Sequence, residues 1–389
     1  MIQALAKTSA EESLGISLPH RRMEEWRWTD LRARINKPYP PQAITANPQD
    51  ISRLLSASPL GKLPLHRVVF VNGEFSAAHS NTTGVDISFA LQAQNILVDP
   101  VLALNSALKP QGITLRFAGQ AEQLVEIIHI TTNAAARALA LRNCIDVADG
   151  ASASIIETYV GEGDYVMNAV TEITIGKNAK LDRLKLECES GQATHLSHVI
   201  YDLNEKSRLN DITLTTGSAL NRQNGNCNFN GEFADAKISG AYLLNKKQHA
   251  DTRLVINHAV PHGTSRETFK CVMDENARGI FQGKVIVAKH AQKTDGKQSS
   301  HALLLSENAE FDAKPELEIY ADDVVCGHGA TAGDINHDHL FYLKSRGIPE
   351  AEAKSLLIAA FVGEVFDAIE NEPIRDVLIG IADAWLHRA

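Results

Sequence analysis

Short runs of alternating apolar and polar residues follow one another along the middle of the chain. From about residue 113 these runs include ITLRF, LVEIIHITT, ASIIETYV, AVTEITI and LNDITLTT, and no interval between them carries a helical pattern. Alternation with a period of two is typical of β-strands that bury one face. The pattern therefore predicts one continuous stack of short strands over about residues 113–325.

A repeat of about 28 residues underlies these runs. Each repeated segment opens with a polar turn, continues with a small residue and then alternates apolar and polar positions. The segments begin at Asp149, Lys177, Glu205 and Glu232, and their small residues are Ala151, Ala179, Ser207 and Ala234. Two further segments with the same opening begin at Glu275 and Glu307, at wider spacing.

Repeats of this kind indicate a stacked architecture, because a single copy cannot bury its own apolar face. Stacked β-rich repeats predict a parallel β-solenoid, and a small residue after each turn suits an inward corner where coils approach closely. The alternative is a β-sandwich whose strands happen to be evenly spaced. Three successive, nearly equal offsets favour the solenoid.

The N-terminal part of the chain mixes helical, strand and turn patterns. Residues 1–15 and 20–35 are predicted to be helical, and the three prolines of KPYPPQ, residues 37–42, then predict a linker. RVVFVNGEF, residues 67–75, predicts a strand that enters an Asn-Gly turn. DPVLALNSAL, residues 99–108, predicts a short helix.

The pattern becomes helical again after residue 333. HDHLFYLKSRG predicts a helix that ends at Gly347, and Pro349 suits the start of a second helix. A final helix is predicted from about Pro373. Apolar residues recur at helical spacing in these last two helices, namely Leu357, Phe361 and Val365 in the first and Ile374, Val377, Leu378, Ile381 and Trp385 in the second.

Together these patterns divide the chain into three regions. We predict a helical and mixed N-terminal region over residues 1–110, a β-helix core over residues 111–333 and a C-terminal helical region over residues 334–389. The polar stretch near residue 330 then lies where the solenoid gives way to helices.

Composition is that of an ordinary globular protein. The 389 residues are 44% hydrophobic and 22% charged, with a net charge of −9 and an isoelectric point near 5.9. An acidic chain is not expected to bind nucleic acid nonspecifically, which needs a basic surface. No apolar run is long enough for a membrane span, and glutamates stand where a secretory signal would be apolar, so we expect a cytoplasmic protein.

The spacing of cysteines and glycines excludes several common sites. No CxxC pair is present, which excludes a zinc ribbon or a ferredoxin-type motif by spacing. No GxxxxGK[ST] motif is present, so the chain should not bind ATP through a P-loop. The cysteines are dispersed and are expected to be buried thiols; they are Cys144, Cys188, Cys227, Cys271 and Cys326.

One stretch concentrates groups that can bind metals. ADDVVCGHGATAGDINHDHLFYL, residues 321–343, contains Cys326 and His328, whose side chains would share a face if the segment were a strand. Thiolate and imidazole suit soft or borderline metals, including iron. His337 and His339 are weaker candidates, because residues two apart diverge on a helix. Residue types alone slightly favour the alternative, in which Cys326 is a buried thiol, His328 caps a turn and HDH is a solvated helix start.

A second candidate chemistry is carbohydrate cleavage, an enzymatic use of β-helices that needs paired carboxylates. Asp146 with Asp149, or Asp322 with Asp323, are the pairs that could serve. Acidic residues in turns are usually only solvated, so this alternative is the weaker one.

The C-terminal stretch resembles a known family. ELEIYADDVVCGHGATAGDINHDHLFYLKSRGI and the preceding residues 281–315 closely resemble the C-terminal signature of the SufB/SufD family of iron–sulfur cluster assembly proteins. RNCIDVADGASASIIETYVGEG and NAVTEITIGKNAKLD resemble its core, and RRMEEWRWTDLRARI resembles the N-terminal segment of its SufD branch. Chain length also favours that branch. One departure is Gly327, where serine is commoner in the family.

The resemblance implies a mainly β protein, a right-handed parallel β-helix flanked by N-terminal and C-terminal α-helical regions. It implies a non-catalytic scaffold that works with SufB and the ATPase SufC in the SufBCD complex, and a homodimer when isolated. By the same resemblance, His328 and Cys326 would contribute to a nascent iron–sulfur cluster shared with SufB. The C-terminal helical part, including Phe341, Tyr342 and Leu343, would bind SufC. Whether a reduced flavin binds to the complex stays open.

Two other functions remain as alternatives to that expectation. The chain could be a structural solenoid that positions ATPase subunits without touching a cluster, or it could be a β-helix hydrolase.

Overall fold

The chain folds as two long parallel β-sheets that face each other across a narrow, largely apolar interior. One sheet has ten strands and the other nine, and from residue 114 onward consecutive strands alternate between them, so each coil adds one strand to each sheet. The predicted parallel β-solenoid with helices before and after it is confirmed, and the β-sandwich alternative is wrong. The computed structural model describes residue 11 and residues 16–40, 45–89, 99–119, 124–132 and 136–387.

Each sheet runs the length of the solenoid. The ten-stranded sheet contains β1 (His66–Val71), β2 (Glu74–Phe75), β5 (Leu124–Thr131), β7 (Ser152–Gly161), β9 (Lys180–Cys188), β11 (Arg208–Thr215), β13 (Asp235–Leu244), β15 (Thr264–Met273), β17 (Asp295–Leu304) and β19 (Val325–Gly333). The nine-stranded sheet contains β3 (Asp86–Ser88), β4 (Thr114–Phe117), β6 (Arg137–Val147), β8 (Tyr165–Ile175), β10 (Thr194–Leu203), β12 (Leu220–Phe229), β14 (His249–His258), β16 (Arg278–Val287) and β18 (Glu310–Ile319).

The sequence repeat corresponds to one full coil. Ser152, Lys180, Arg208 and Asp235 stand in register on neighbouring strands of the ten-stranded sheet. The small residues of the repeat are all buried at the corner before these strands, at Ala151, Ala179, Ser207 and Ala234. Each follows a residue with left-handed backbone, at Gly150, Asn178, Lys206 and Phe233. The left-handed residue turns the chain sharply, and the small residue then fits inside the corner.

The two later repeat segments belong to the other sheet. Glu275 and Glu307 precede β16 and β18, which pair in the nine-stranded sheet. The four earlier segments precede strands of the ten-stranded sheet. Corners on both sides of a coil therefore use the same polar turn followed by a small residue.

Six helices flank the solenoid in the described part of the chain. The N-terminal ones are α1 (Leu31–Arg34), α2 (Pro48–Ala57) and α3 (Pro100–Ala107), and the C-terminal ones are α4 (His337–Ser345), α5 (Glu350–Phe366) and α6 (Glu372–Leu386). Short 3-10 helices occur at Glu24–Trp26 and Ala77–His79. The helix predicted over residues 99–108 is confirmed as α3, which begins at the N-cap Asp99.

The helix predicted over residues 20–35 is wrong, because this segment is broken at Thr29 and Asp30. The Asp30 carboxylate accepts a hydrogen bond from the Ala33 N–H and begins α1. The Thr29 hydroxyl instead donates to Asp251 Oδ2 at 2.5 Å. The helix predicted over residues 1–15 lies outside the described residues, apart from residue 11.

The segment of residues 16–40 packs on the outer face of the nine-stranded sheet. Trp26 is buried there, with the guanidinium of Arg222 4.5 Å from its ring. Arg222 forms a buried ion pair with Asp251, which also accepts from Thr29. The prolines at 38 and 40 flank Tyr39, whose buried hydroxyl donates to Asp164 at 2.8 Å. This part of the predicted linker is therefore packed against the solenoid.

The strand and Asn-Gly turn predicted over residues 67–75 agree with the structure. β1 and β2 form an antiparallel hairpin whose Asn72 and Gly73 both have positive φ, as an Asn-Gly turn requires. β1 also pairs in parallel with β5, so the ten-stranded sheet includes a strand from the first hundred residues.

The C-terminal helices cover the outer face of the ten-stranded sheet. In α6 the predicted apolar stripe is confirmed, with Ile374, Leu378 and Trp385 buried. In α5 the buried face is formed by Ile358 and Val362 together with Ala353, Val365 and Phe366, whereas the predicted Leu357 and Phe361 are only half-buried. The sequence pattern placed the buried stripe of α5 one residue too early, at Leu357 and Phe361, because apolar residues occur on both sides of this helix.

Candidate functional site

Cys326 and His328 lie on β19, the last strand of the ten-stranded sheet. Among the described residues β19 pairs only with β17, so its other edge carries backbone groups without a strand partner. Cys326 is in register with Gly296, and His328 is in register with Gln298. Residues two apart on a strand share a face, so the thiol and the imidazole both face the open end of the interior.

The two side chains differ in their surroundings. Cys326 is half-buried and packs against the interior core, and this burial raises the pKa of its thiol. The thiol is therefore protonated at neutral pH unless a metal or a cation stabilises the thiolate. His328 is exposed at the rim. The positions that a Cβ atom would take at Gly327 and Gly329 have no neighbouring atom of the described chain, so this strand leaves room for another molecule.

Two buried polar residues lie beneath His328 in the same column of the sheet. Gln298 is in register with His328, and Glu267 is in register with Gln298. They are 4% and 1% exposed, and within the described chain neither side chain makes a hydrogen bond of ordinary geometry, although the Ser265 hydroxyl is near the Glu267 carboxyl group. Burial raises the pKa of Glu267 to about 8. Sequence reasoning missed both residues, because the register of these last coils differs from the 28-residue repeat and cannot be counted back from His328.

A second polar cluster lies deeper in the interior and was not predicted. The ligand atoms of Glu187, Glu189 and His195 lie within 4.8 Å of one another, and all three residues are buried. Nδ1 of His195 is 2.6 Å from Glu189, and its Nε2 is 2.9 Å from Nζ of Lys185. Burial raises the pKa of Glu189 to about 7 and lowers that of Lys185 to about 8.

This deeper cluster is satisfied by its own side chains. The Tyr165 hydroxyl donates to Glu189 at 2.8 Å, and Ser218 and Asn221 donate to Glu187. The Lys185 ammonium also lies beside the imidazole, where it would repel a metal cation. We therefore interpret the cluster as a buried polar network and not as a metal centre.

The remaining metal and thiol candidates lie elsewhere. His337 and His339 are exposed in the first turn of α4, after the last strand. Cys144, Cys227 and Cys271 are buried and Cys188 is half-buried, each in an earlier coil than Cys326. Burial raises the pKa of the thiols of Cys188, Cys227 and Cys271. The expectation of buried thiols is confirmed for three of the five cysteines.

The acidic pairs nominated for carbohydrate cleavage are turn or surface residues. Asp149 accepts from the Lys177 N–H of the next coil's turn at 2.7 Å, and exposed Asp146 lies 3.9 Å from Arg116. Asp323 forms an ion pair with Lys293 at the surface. This geometry gives the hydrolase alternative no support.

The residues expected to bind a partner are on α4. Phe341 and Tyr342 are 73% and 56% exposed, whereas Leu343 is half-buried. The guanidinium of Arg346 lies 5.2 Å from the Tyr342 ring. The helix begins at Asn336, whose side chain accepts from the N–H groups of the first turn, and it ends before Gly347 with a φ of 87°. The predicted end of this helix is confirmed.

Comparison with known proteins identifies relatives over almost the whole chain. Residues 129–361 match the family model for the SufBD core domain of the SUF system for iron–sulfur cluster assembly. The chain is 31% identical to the iron-sulfur cluster assembly protein SufD of Escherichia coli, over 96% of this chain and 90% of that protein. It is 30% identical to an iron-sulfur cluster assembly SufBD family protein of Synechocystis, over 93% of this chain and 86% of that protein.

A more distant relative agrees with this assignment. The chain is 27% identical to the iron-sulfur cluster assembly protein SufD of Bacillus subtilis, over 60% of this chain and 55% of that protein. Within the described residues no helix is long and apolar enough to cross a membrane. The resemblance in the sequence motifs, the parallel solenoid and the matching family model agree, and the chain belongs to the SufBD family of iron–sulfur cluster assembly proteins, with SufD among its relatives.

Proposed function

We propose that this chain is a non-catalytic, SufD-like subunit of a cytoplasmic SufBCD-type complex that supports iron–sulfur cluster assembly and transfer to apo-proteins. The observation that carries the proposal is the position of Cys326 and His328 on a strand with a free edge at the open end of the solenoid. Apolar residues at this end are unusually accessible, with Tyr320 and Val325 both 62% exposed. Exposed apolar surface beside a free strand edge is typical of a binding surface.

A SufB-like partner would continue the ten-stranded sheet at β19. The Val325 N–H donates to the Thr294 carbonyl at 2.9 Å, so the backbone groups of odd-numbered residues of β19 point towards β17. Those of Cys326 and His328 therefore point towards the free edge. Strand addition would bring the partner's side chains next to the thiol and the imidazole. In isolation a second copy of this chain could occupy the same edge, which would give a homodimer.

The nascent cluster is cargo in this proposal, held between the two subunits. The His328 imidazole would supply one ligand, and Cys326 would supply a second or shape the rim. The other four cysteines belong to earlier coils, and Cys227 and Cys271 are completely buried. The remaining ligands must therefore come from the partner, whose arrival completes the site.

The ATPase partner, a SufC-like subunit, would bind the C-terminal helices through Phe341, Tyr342 and Leu343. Two large exposed apolar residues in succession on one helix exceed what α4 needs for packing against α5. Nucleotide hydrolysis belongs to that partner, because this chain has no P-loop motif.

The proposal is tested by His328→Ala in the chain co-purified with SufB-like and SufC-like partners. We expect an unchanged circular dichroism spectrum and unchanged partner binding, since His328 is exposed at the rim. Iron and sulfide bound after anaerobic reconstitution should fall to background. Cys326→Ala should reduce them less. Normal cluster content in His328→Ala would reject the proposal, whether or not the melting temperature also falls.

A further inference from the structure

We propose that Gln298 and Glu267 form an internal positioning relay for His328. In this relay the Gln298 carbonyl accepts the N–H of one imidazole nitrogen, and the Gln298 amide donates to the carbonyl oxygen of the Glu267 carboxyl group. The second imidazole nitrogen is then presented to iron at the rim. The inference rests on the proposed function, and it assigns a role to two residues of this chain that do not themselves contact the cluster.

The register of the ten-stranded sheet places Gln298 and Glu267 below His328. Ile238, Glu267, Gln298 and His328 are aligned on four successive strands of one sheet. Aligned side chains on neighbouring strands of a parallel sheet point to the same face, and the strands are about 4.8 Å apart. Ile238 belongs to the interior core, so the whole column faces inward. The amide of Gln298 therefore lies one strand below the imidazole, within reach of its side-chain rotations.

A second observation is that these buried groups lack hydrogen-bond partners of ordinary geometry within the described chain. Both polar atoms of the Gln298 amide and both carboxyl oxygens of Glu267 are without such hydrogen bonds. A buried polar group without a partner destabilises the folded state, so such groups are rare unless another state of the protein uses them. Two of them in one column, directly below an exposed imidazole, point to a state in which the three groups are connected.

A glycine on the opposite sheet leaves space for this arrangement. An added Cβ at Gly283 would come within 2.5 Å of Oε1 of Gln298. The amide thus extends across the narrow interior over a residue without a side chain. Any larger residue at position 283 would displace it.

The relay would fix the tautomer and the ring orientation of His328 for metal binding. A histidine that binds a metal usually donates its other ring N–H to a carbonyl or carboxylate, which fixes the tautomer and the ring orientation. His328 is at an open rim, and only interior groups of its own chain are placed to do this before the partner arrives. The Glu267 carboxyl group would in turn orient the amide, because its carbonyl oxygen accepts from the NH2 end and leaves the amide carbonyl towards the imidazole.

Gln298→Met tests the relay in the co-purified complex, titrated anaerobically with Fe2+ and sulfide. Methionine keeps the length of the side chain and removes the amide. We expect iron affinity to fall about 10-fold to 100-fold, while the melting temperature of the isolated chain rises because a buried unpaired amide is removed. Gln298→Glu keeps an acceptor oxygen and should retain most of the affinity. Glu267→Leu should lower affinity as well, without a loss of fold.

Gln223→Met is the matched control. Gln223 also faces the interior, but its amide donates to Thr215 at 3.0 Å and lies outside the column below His328. This variant should lose stability and keep iron affinity. If Gln298→Met bound iron normally while His328→Ala did not, the relay would be wrong and the proposed function would stand. A loss of both stability and iron in Gln298→Met would also reject the relay, because it would indicate a purely structural role.

Discussion

At the scale of single residues, the buried carboxyl group of Glu267 has a measurable effect on stability. Burial raises its pKa from 4.5 to about 8, so the folded chain retains a proton that the unfolded chain releases. The free energy of unfolding therefore contains a contribution that is present below pH 4.5 and is lost as the pH rises towards 8. Glu267→Gln carries no such proton and lacks this contribution.

Thermal unfolding of wild type and Glu267→Gln between pH 4 and pH 9 tests this effect. The stability of the variant relative to wild type should increase with pH by a few kcal/mol and level off near pH 8. Glu275→Gln, which replaces an exposed turn carboxyl group in the same way, is the matched control. A pH-independent difference for Glu267→Gln would contradict the raised pKa. Other buried titrating groups, including Glu189 and His195, are common to both chains and cancel in the comparison.

At the scale of secondary-structure elements, the C-terminal helices have two faces with different roles. One face of α5 and α6 covers apolar residues on the outer side of the ten-stranded sheet, among them Leu186, Leu214 and Val272. Deletion of residues 334–389 would expose these residues and destabilise the solenoid. Point substitutions on the free face of α4 are therefore the better probe of ATPase binding.

The double variant Phe341→Ser, Tyr342→Ser should bind a SufC-like subunit at least about tenfold more weakly. Its melting temperature should stay close to that of wild type, since both side chains are exposed. Ile379→Ser is the control, because Ile379 is 48% exposed on α6 and lies in the same helical region. Equal loss of binding in both variants, measured by isothermal titration calorimetry, would argue against a contact centred on α4.

The elements that sequence alone predicts are those whose determinants are local. Small corner residues such as Ala179 and Ser207 mark each coil, and Gly347 marks the end of α4. Sheet membership is less visible, because both corners of a coil have the same chemistry. The break at Thr29 depends on a hydrogen bond to Asp251 and cannot be seen from neighbouring residues.

The residues of the candidate site likewise divide into those that the local sequence reveals and those that only the folded structure reveals. Cys326 and His328 are recognisable because two ligand types occur together within one strand. Gln298 and Glu267 are ordinary polar positions in the sequence. Only the register of β15, β17 and β19 places them below His328.

At the scale of the whole molecule, helices and the N-terminal segment cover the outer faces of the two sheets, whereas the edge of β19 is free. Ala330 has its backbone N–H on the free side of this strand, whereas Gly329 has its N–H on the side of β17, as the bond from Val325 indicates. Proline at these two positions removes different hydrogen bonds. Their comparison separates pairing with another chain from pairing within the sheet.

Ala330→Pro should leave the melting temperature of the isolated chain almost unchanged and should abolish association through β19. Gly329→Pro should lower the melting temperature, because it removes a bond within the sheet. Size-exclusion chromatography with light scattering, with and without a SufB-like partner, measures the association. An Ala330→Pro chain that still joined its partner normally would show that the contact does not use strand addition.

The contact between the segment of residues 16–40 and the C-terminal coils of the solenoid has a consequence for folding during synthesis on the ribosome. Each coil of the solenoid needs only its predecessor to pair with, so coils can close one after another as they emerge. Thr29, however, bonds to Asp251, and Lys314 lies 2.8 Å from Glu24. The N-terminal segment is translated first, but it cannot complete its contacts until most of the chain has been made. Until then Trp26 lacks its contact with Arg222 and can pack only on earlier coils, so a growing chain stalled before residue 222 should expose this tryptophan more readily to chaperones and proteases.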